Sequence, residues 1–253
     1  MFVDTHCHLY KEYYESVTDE IKDSQKNDVG YYIVSGCDHK SNQEVIELIS
    51  SYPMVYGSIG IHPEYADSYQ ETDLLFLEQH IQDKKIVAIG EIGLDYHYTK
   101  ENKEKQQLLF RQQLDLALKY NVPVVIHSRD ATEDTIAILK EYPLVKGVIH
   151  SFSGSLETAR IYMKMGYKLG INGVVTFKNS HLKDLLPEIL HAIVLETDSP
   201  YLTPHPYRGK KNSPKYIKTI ALFISEYLDI SLNDLAEITN RNIHVVFDIS
   251  FHV

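Results

Sequence analysis

Residues 2 to 8 of the chain read Phe-Val-Asp-Thr-His-Cys-His. Such a short run of aliphatic, aromatic and β-branched residues predicts a buried β-strand. Because successive side chains of a strand point to opposite faces, Asp4, His6 and His8 share one face and Cys7 lies on the other. The His-x-His spacing therefore places two imidazoles side by side, where they could bind a metal ion.

Seven more runs of this kind follow along the chain. They cover residues 30 to 37, 54 to 62, 85 to 94, 122 to 128, 147 to 152, 167 to 172 and 193 to 198. Amphipathic segments with helical spacing separate the runs, so the strands should be parallel. Eight such units in about 200 residues favour a (β/α)8 TIM barrel, with His6 and His8 facing its interior. An open doubly wound sheet would usually carry a Gly-rich phosphate loop, and neither GxGxxG nor GxxxxGK occurs.

The stretch after the eighth run is irregular. Residues 199 to 214 are rich in proline and basic residues, and two helical segments follow them. The last helix should begin at Ser231, with Asp234 three residues later as a variant of the capping box. We find no internal repeat or linker, and we predict that residues 1–253 form a single domain.

Composition limits the compartment and the partners. The 253 residues carry a formal charge of −10 and contain no apolar window near the roughly 18 residues of a membrane span. Cys7 and Cys37 form neither a disulfide framework nor a CxxC pair, which is typical of a reducing cytoplasm. We therefore expect a soluble, cytoplasmic protein without membrane contact, and no obligate protein partner is evident. The charge disfavours wide wrapping of nucleic acid, but screening over roughly 8 Å permits a local positive site.

Further candidate metal ligands lie at the ends of later strands. They are Glu91, His127, His150 and Asp198. Active sites of TIM barrels occupy this carboxyl-terminal rim, so these side chains should converge with His6 and His8. A single strand-end histidine, such as His62 or His97, is more often a hydrogen-bonded core or rim residue. Six nitrogen and oxygen ligands in register instead favour a centre for Zn, Mn or Fe(II), and the absence of thiolate argues against a closed structural zinc site.

Six short motifs have a recognisable order. They are DTHCHL from Asp4, GIHP from Gly60, GEIGLDY from Gly90, HSR from His127, HSFSG from His150 and ETDSPYL from Glu196. The set resembles the TatD family of metal-dependent deoxyribonucleases, from residue 2 to Phe247. GEIGLDY and ETDSPYL are highly specific, whereas HxH also occurs in other amidohydrolase-type barrels and in PHP-type phosphoesterases. The chain departs from the family at Ser151, where Cys is usual, and at Ser213, where Glu is usual.

The resemblance implies a metal-dependent hydrolase barrel with two divalent ions (Zn, Mn, Mg or Fe). His6, His8, Glu91 and Asp198 would hold one ion, and Glu91, His127 and His150 the other, with Glu91 bridging. Two dications, two carboxylates and a bridging hydroxide would leave a weakly positive centre facing a phosphodiester. Asp198 is the candidate to orient the hydroxide or accept its proton, so Asp198 and Glu91 are the predicted catalytic residues.

Candidate substrate contacts surround the predicted centre. Arg208, Lys210, Lys211, Lys215 and Lys218 follow strand eight with no acidic residue between them, and they could hold a phosphate backbone. Arg129 could clamp a phosphate, with a carboxylate such as Asp95 as its alternative partner, and His62 could also contact the substrate. Tyr96, Tyr98, Tyr201 and Tyr207 lie near strand ends and could stack on bases.

The predicted function is cleavage of DNA phosphodiester bonds. Family resemblance implies a 3′ to 5′ exonuclease that acts on single-stranded or frayed ends. One alternative is the same bimetal centre acting on an ester or amide, because an activated hydroxide does not itself choose phosphorus over carbon. Another alternative is a metal-binding protein without catalysis. The basic segment from Arg208 to Lys218 favours the phosphodiesterase.

Overall fold

The structure is a computed structural model that describes residues 1–249. Strands and helices alternate along it. The strands are β1 (Phe2–Cys7), β2 (Val29–Ser35), β3 (Val55–Ile59), β4 (Ile86–Asp95), β5 (Val124–Arg129), β6 (Gly147–Ile149), β7 (Lys168–Ile171) and β8 (Ile193–Leu195). The helices are α1 (Val17–Gln25), α2 (His39–Ser51), α3 (Glu71–His80), α4 (Lys103–Tyr120), α5 (Thr132–Glu141), α6 (Leu156–Lys164), α7 (Leu182–Ile189), α8 (Ile217–Leu228) and α9 (Leu232–Phe247).

The strands form one eight-stranded sheet in chain order. Neighbouring strands pair in parallel, for example β1 with β2 and β4 with β5. The segment that follows β8 returns to β1, because His8 N donates to Ser199 O (2.8 Å) and Asp198 N donates to His6 O (2.9 Å). Parallel strands joined in order through helices define the (β/α)8 TIM-barrel class, so the predicted fold class is confirmed.

Strands β6 and β8 end earlier than the sequence predicts. They stop at Ile149 and Leu195. Shortly afterwards Ser151 and Asp198 adopt left-handed φ angles of 48° and 56°, which a β-strand does not accommodate. His150 and Asp198 therefore lie on loops just beyond the strand ends, not on the strands themselves.

The density of internal contacts divides the chain into two compact units. The first unit contains Met1–Val34, Ser151–Met163 and the described residues from Lys168 onward. The second unit contains Ser35–His150 and Lys164–Tyr167. A single domain over residues 1–253 stays a prediction. Within the described range, no helix has the length and hydropathy that a bilayer span requires.

In the first unit, helix α9 begins as the sequence predicts. Ser231 caps it, because its hydroxyl oxygen accepts from Asp234 N (3.1 Å) while the hydroxyl donates to the Asp234 carboxylate (2.7 Å). The apolar face of α9 buries Leu235 and Ile243, and the helix packs against β1 and β8. Helix α9 thus covers β1, which contains His6 and ends just before His8, and β8, which ends shortly before Asp198.

In the second unit, buried amide side chains of α2 and α4 hold the ends of strands β3 and β4. Each amide donates to a backbone C=O and accepts from the N–H of the same residue, with distances from 2.7 to 3.0 Å. The pairs are Asn42 with Gly60, Gln113 with Ile61 and Gln106 with Asp95. The helix side chains satisfy the backbone hydrogen-bonding groups at these strand ends. They therefore fix the backbone at the positions from which candidate site residues such as His62 project.

Candidate metal centre

In the first unit, His6, His8 and Asp198 bring three potential ligand atoms together. The Nε2 atoms of His6 and His8 are 3.3 Å apart. Asp198 Oδ1 lies 3.7 Å from His6 Nε2 and 3.5 Å from His8 Nε2. Both histidines are buried, and the Asp198 side chain is 15% exposed. The shared face of His6 and His8, predicted from alternation along the strand, is confirmed.

Asp4 connects this cluster to the segment after β8. Its carboxylate accepts hydrogen bonds from Thr197 N (2.9 Å) and Thr197 Oγ1 (2.5 Å). Complete burial raises the pKa of Asp4 to about 8, although the hydrogen bonds from Thr197 act in the opposite direction. Asp4 therefore works as a structural tie between the strand that carries His6 and the loop that carries Asp198.

A tight turn presents Asp198. Its carbonyl accepts from Tyr201 N (2.8 Å), and Ser199 N donates to Thr197 Oγ1 (3.1 Å). Aspartate is one of the few residues besides glycine that tolerate a left-handed backbone, so the turn can place a carboxylate where most side chains would be strained.

Glu196 anchors the loop at Ser151. Its Oε1 accepts from Ser151 N (2.7 Å), while the Ser151 hydroxyl accepts from Asn172 Nδ2 (2.7 Å). A side chain at Gly170 would collide with the Glu196 carboxylate, so glycine leaves the space that the carboxylate occupies. The serine that replaces the usual family cysteine thus fills a hydrogen-bonding position.

Ser213, the second departure from the family motif, is buried. Its hydroxyl donates to Glu20 Oε2 (2.5 Å), and its N–H donates to Asn212 Oδ1 (2.9 Å). Helix α1 therefore supplies a carboxylate beside the position where the family usually has glutamate.

In the second unit, three imidazoles surround Glu91. Its Oε1 lies 2.7 Å from His127 Nδ1, 3.8 Å from His150 Nε2 and 3.8 Å from His62 Nε2. Glu91 is buried, so its carboxylate faces these rings in a medium that screens charge poorly. A carboxylate among several imidazoles is well suited to share metal ions with them.

The other face of His127 meets Asp95. The Asp95 Oδ2 lies 3.1 Å from His127 Nε2, and its Oδ1 accepts from His97 N (2.8 Å). Burial lowers the pKa of His127, but the hydrogen bonds to Asp95 and Glu91 outweigh burial and raise the pKa to about 9. Sequence analysis considered Asp95 only as a partner for Arg129. Asp95 follows Glu91 by four residues in β4, and strand alternation therefore indicated that the two carboxylates point to the same side of the sheet.

Cys37 is a further residue that sequence reasoning set aside. Its Sγ lies 3.8 Å from Glu91 Oε2, and the side chain is partly exposed. The absence of a CxxC pair gave no reason to expect a thiol here. The sequence argued against a closed structural zinc site from the absence of a cysteine ligand. A cysteine does lie near Glu91, so that argument loses its premise there.

The basic segment after β8 divides into two halves. Lys215 and Lys218 form ion pairs with Asp23 (2.8 Å) and Asp28 (2.5 Å), two carboxylates from the chain around α1. The hydrogen bond from Lys215 lowers the pKa of Asp23. These two lysines are thus largely neutralised, although no acidic residue is close to them in sequence.

The earlier half of the segment is exposed and contacts aromatic rings and backbone. The Arg208 guanidinium lies 3.9 Å from the Phe177 ring centroid, Lys210 Nζ lies 5.7 Å from the Tyr207 ring, and Lys211 donates to Tyr13 O. In the second unit, Arg129 is exposed, and its guanidinium lies 5.1 Å from the ring centroid of Tyr98. The roles of these cations in substrate binding stay predictions.

Comparison with known proteins identifies the family. The family model for TatD-related DNases matches residues 3–248. The chain belongs to the TatD family. The resemblance inferred from its six motifs is therefore confirmed.

Relatives within the TatD family cover almost the whole chain. YabD of Bacillus subtilis strain 168, an uncharacterized metal-dependent hydrolase, is 42% identical over 255 residues, which cover 99% of this chain and 100% of YabD. YcfH of Escherichia coli K12, also an uncharacterized metal-dependent hydrolase, is 34% identical over 256 residues, which cover 98% of this chain and 96% of YcfH. The crystal structure of the TatD homologue YjjV from E. coli K12 superposes with a TM-score of 0.92 at 29% identity and covers 98% of both chains.

The residues of both clusters fit the metal dependence of the TatD family. His6, His8 and Asp198 supply two imidazoles and a carboxylate, and their nearest ligand atoms lie within 4.8 Å of one another. Imidazole nitrogens and carboxylate oxygens are ligands that Zn, Mn and Fe(II) accept. The protein is a metal-dependent hydrolase of the TatD family.

Proposed function

We propose that this protein hydrolyses phosphodiester bonds in DNA with two divalent ions (Zn, Mn, Mg or Fe). The ions would be held by His6, His8, Glu91, His127, His150 and Asp198, with Glu91 shared between them. The observation that carries the proposal is the pair of ligand clusters, each already assembled in its own unit. Membership of the TatD-related DNase family supports DNA as the substrate class.

The protein residues would divide the work as follows. Asp198 would orient the attacking water and accept its proton, because its carboxylate is fixed by a turn beside two buried imidazoles. Bound divalent ions would polarise a phosphoryl oxygen, activate the water and stabilise the leaving oxygen. His6 and His8 would act as neutral imidazole ligands, because only an unprotonated ring nitrogen has a lone pair that can bind a metal ion.

Glu91 and Asp95 would orient His127 from opposite sides. Glu91 faces Nδ1 and Asp95 faces Nε2, so the ring cannot rotate without losing a hydrogen bond to a carboxylate. A carboxylate behind a ligating imidazole fixes the ring orientation and raises its basicity. We therefore propose Asp95 as a positioning residue for His127.

We propose single-stranded DNA, or the frayed end of a duplex, as the preferred form of substrate, with cleavage from the 3′ end. Arg129, His62, Arg208, Lys210 and Lys211 would contact the phosphate backbone. The exposed half of the basic segment supports this assignment, since arginine and lysine provide most of the sequence-independent affinity for nucleic acids. We also propose that the protein acts in the cytoplasm and needs no obligate protein partner.

A digest of end-labelled oligonucleotides tests the function. The protein, loaded with a defined divalent metal, should release nucleotides progressively from a 3′ end, and EDTA should stop the release. Parallel assays with a chromogenic carboxylic ester and a chromogenic amide test the alternative hydrolase. Hydrolysis of either substrate without DNA cleavage would contradict the proposal, and bound metal without any hydrolysis would favour a non-catalytic metal-binding protein.

A further inference from the structure

Two tyrosines of the first unit lie beside His8, and a third tyrosine contacts both of them. The rings of Tyr10 and Tyr201 lie 5.5 and 6.2 Å from the His8 ring, measured between centroids. Tyr13 lies 5.8 Å from Tyr10 and 6.1 Å from Tyr201, and the hydroxyls of Tyr13 and Tyr201 are 3.1 Å apart. Tyr10 is buried, whereas Tyr201 is 51% exposed. The group therefore has a buried base and an exposed aromatic surface next to a proposed metal ligand.

The backbone holds Tyr201 at a fixed position relative to Asp198. Tyr201 N donates to Asp198 O (2.8 Å) within the same turn. Asn212, which is buried, donates from Nδ2 to Tyr201 O, and its N–H donates to Pro200 O (3.0 Å). An aromatic side chain on so constrained a backbone loses little conformational entropy when a ligand packs against it.

Two other exposed tyrosines of the first unit have rings that are already stacked. Tyr207 is stacked on Tyr216 at 4.7 Å, and Tyr227 is stacked on Phe223 at 6.3 Å. The rings of His8 and Tyr13 meet Tyr201 in T-shaped contacts, with interplanar angles of 69° and 72°. Tyr201 thus differs from the ordinary packed surface tyrosine, because no described ring stacks in parallel on it.

The chemistry around Tyr13 suits a nucleotide. The Tyr13 phenol is neutral near pH 7, and burial raises its pKa further, so the ring does not repel a phosphate. Lys211 donates to Tyr13 O and lies 5.3 Å from the Tyr14 ring, which brings a positive charge to the edge of the aromatic group. A neutral aromatic surface flanked by a cation is the usual arrangement for binding single-stranded nucleic acid.

We propose that Tyr201 and Tyr13 form a stacking subsite for a nucleobase next to the cleaved phosphodiester. This inference rests on the proposed DNA-cleaving function. A base and its own phosphate belong to one nucleotide, so a phosphate at Asp198 and His8 places a base within reach of Tyr201. The subsite would recognise the flat face of a base without regard to its sequence, since every base has a π face.

The test compares two oligonucleotides that differ only in their terminal bases. One ends in thymidines, and the other carries tetrahydrofuran abasic residues at the same positions, so both have the same phosphates. For the metal-loaded wild type, kcat/KM should be roughly tenfold or more higher with the thymidine substrate. In Tyr201→Ala this ratio should fall toward one, and Tyr13→Ala should lower it less.

Two variants act as controls. Tyr201→Phe keeps the ring and loses only the hydrogen bond to Tyr13, so it should keep most of the ratio. Tyr227→Ala removes another exposed tyrosine, 43% exposed on helix α8, and should leave the ratio at its wild-type value. Thermal melting of each variant confirms that the fold is intact.

The outcomes separate the two proposals. A wild-type ratio near one, or an unchanged ratio in a folded Tyr201→Ala/Tyr13→Ala double variant, would overturn the subsite alone. Failure of the wild type to cleave either oligonucleotide would overturn the proposed function and the subsite with it. A ratio that collapses in Tyr201→Ala and survives in Tyr201→Phe would establish the stacking role.

Discussion

The two ligand clusters differ in how closely their imidazoles meet carboxylates. In the first unit, two imidazoles meet a single carboxylate, and the nearest imidazole nitrogens are only 3.3 Å apart. In the second unit, three imidazoles surround Glu91, and one of them, His127, also faces Asp95, so its pKa is raised. In the first cluster, the two imidazole Nε2 atoms and the Asp198 carboxylate lie 3.3 to 3.7 Å apart, whereas in the second cluster His127 already faces a carboxylate at each ring nitrogen. We infer that the first cluster serves the chemistry most directly and that the second is a preformed holder.

Replacement of Asp198 by Asn tests the first cluster and should have the largest effect. Asn keeps the shape of the side chain but loses its charge and its ability to accept a proton. The kcat for oligonucleotide cleavage should fall by roughly 10² to 10⁴, while DNA binding and thermal stability stay close to wild type. A folded Asp198→Asn protein with near wild-type kcat would remove Asp198 from the mechanism.

Replacement of Glu91 by Ala tests whether the clusters share a carboxylate. We expect wild-type protein to bind close to two divalent ions per chain, and Glu91→Ala to retain one ion or fewer after dialysis, because a shared ligand contributes to both ions. Elemental analysis after defined metal loading gives the ratio. If the wild type binds only one ion per chain at saturation, and Glu91→Ala binds the same number, the two-ion model is wrong.

Replacement of Asp95 by Asn tests the preformed holder. The variant should bind metal about 10- to 100-fold more weakly, because His127 loses the carboxylate that orients it. Asp130→Asn is a matched control, since Asp130 pairs with exposed His97 (2.9 Å) and not with His127. Titration calorimetry with the metal alone separates this effect from catalysis, and equal affinities in both variants would contradict a positioning role.

The smallest expected effect concerns the basic segment. Lys210→Ala/Lys211→Ala should raise KM for oligonucleotides and flatten its salt dependence, with a decrease in slope of about 0.7 for each phosphate that is no longer bound. Lys215→Ala/Lys218→Ala removes the same charge but should change KM less, because these lysines are paired with Asp23 and Asp28. If both double variants behave alike, the segment acts through its net charge and not through specific phosphate binding.

The local sequence pattern was sufficient to predict the features that follow from the alternation of side chains along a strand and from the order of strands and helices. Strand alternation, continued from His6 in β1 to His8 just beyond its end, predicted that the two imidazoles lie together, and eight strand runs separated by helical segments predicted the TIM-barrel class. The family followed from motifs whose order along the chain is specific.

Features that depend on tertiary register were beyond local pattern. Asp95 pairs with Arg129 in the β4–β5 register, yet its carboxylate faces His127, which only the arrangement of side chains decides. Lys215 meets Asp23 across 192 residues of sequence, so no local count of charges could show that it is neutralised. Asp198 lies beyond its strand because the backbone turns left-handed there.

The amide side chains that grip the ends of β3 and β4 have a consequence for solvent exchange. Loop amides next to a catalytic rim usually exchange with solvent rapidly. The N–H groups of Gly60, Ile61 and Asp95 donate to buried oxygens on α2 and α4, so their deuterium uptake should be as slow as that of core strands. Gln113→Leu should speed deuterium uptake at Ile61, because it removes the acceptor for the Ile61 N–H. A residue of helix α4 would then determine how readily solvent reaches the backbone next to His62.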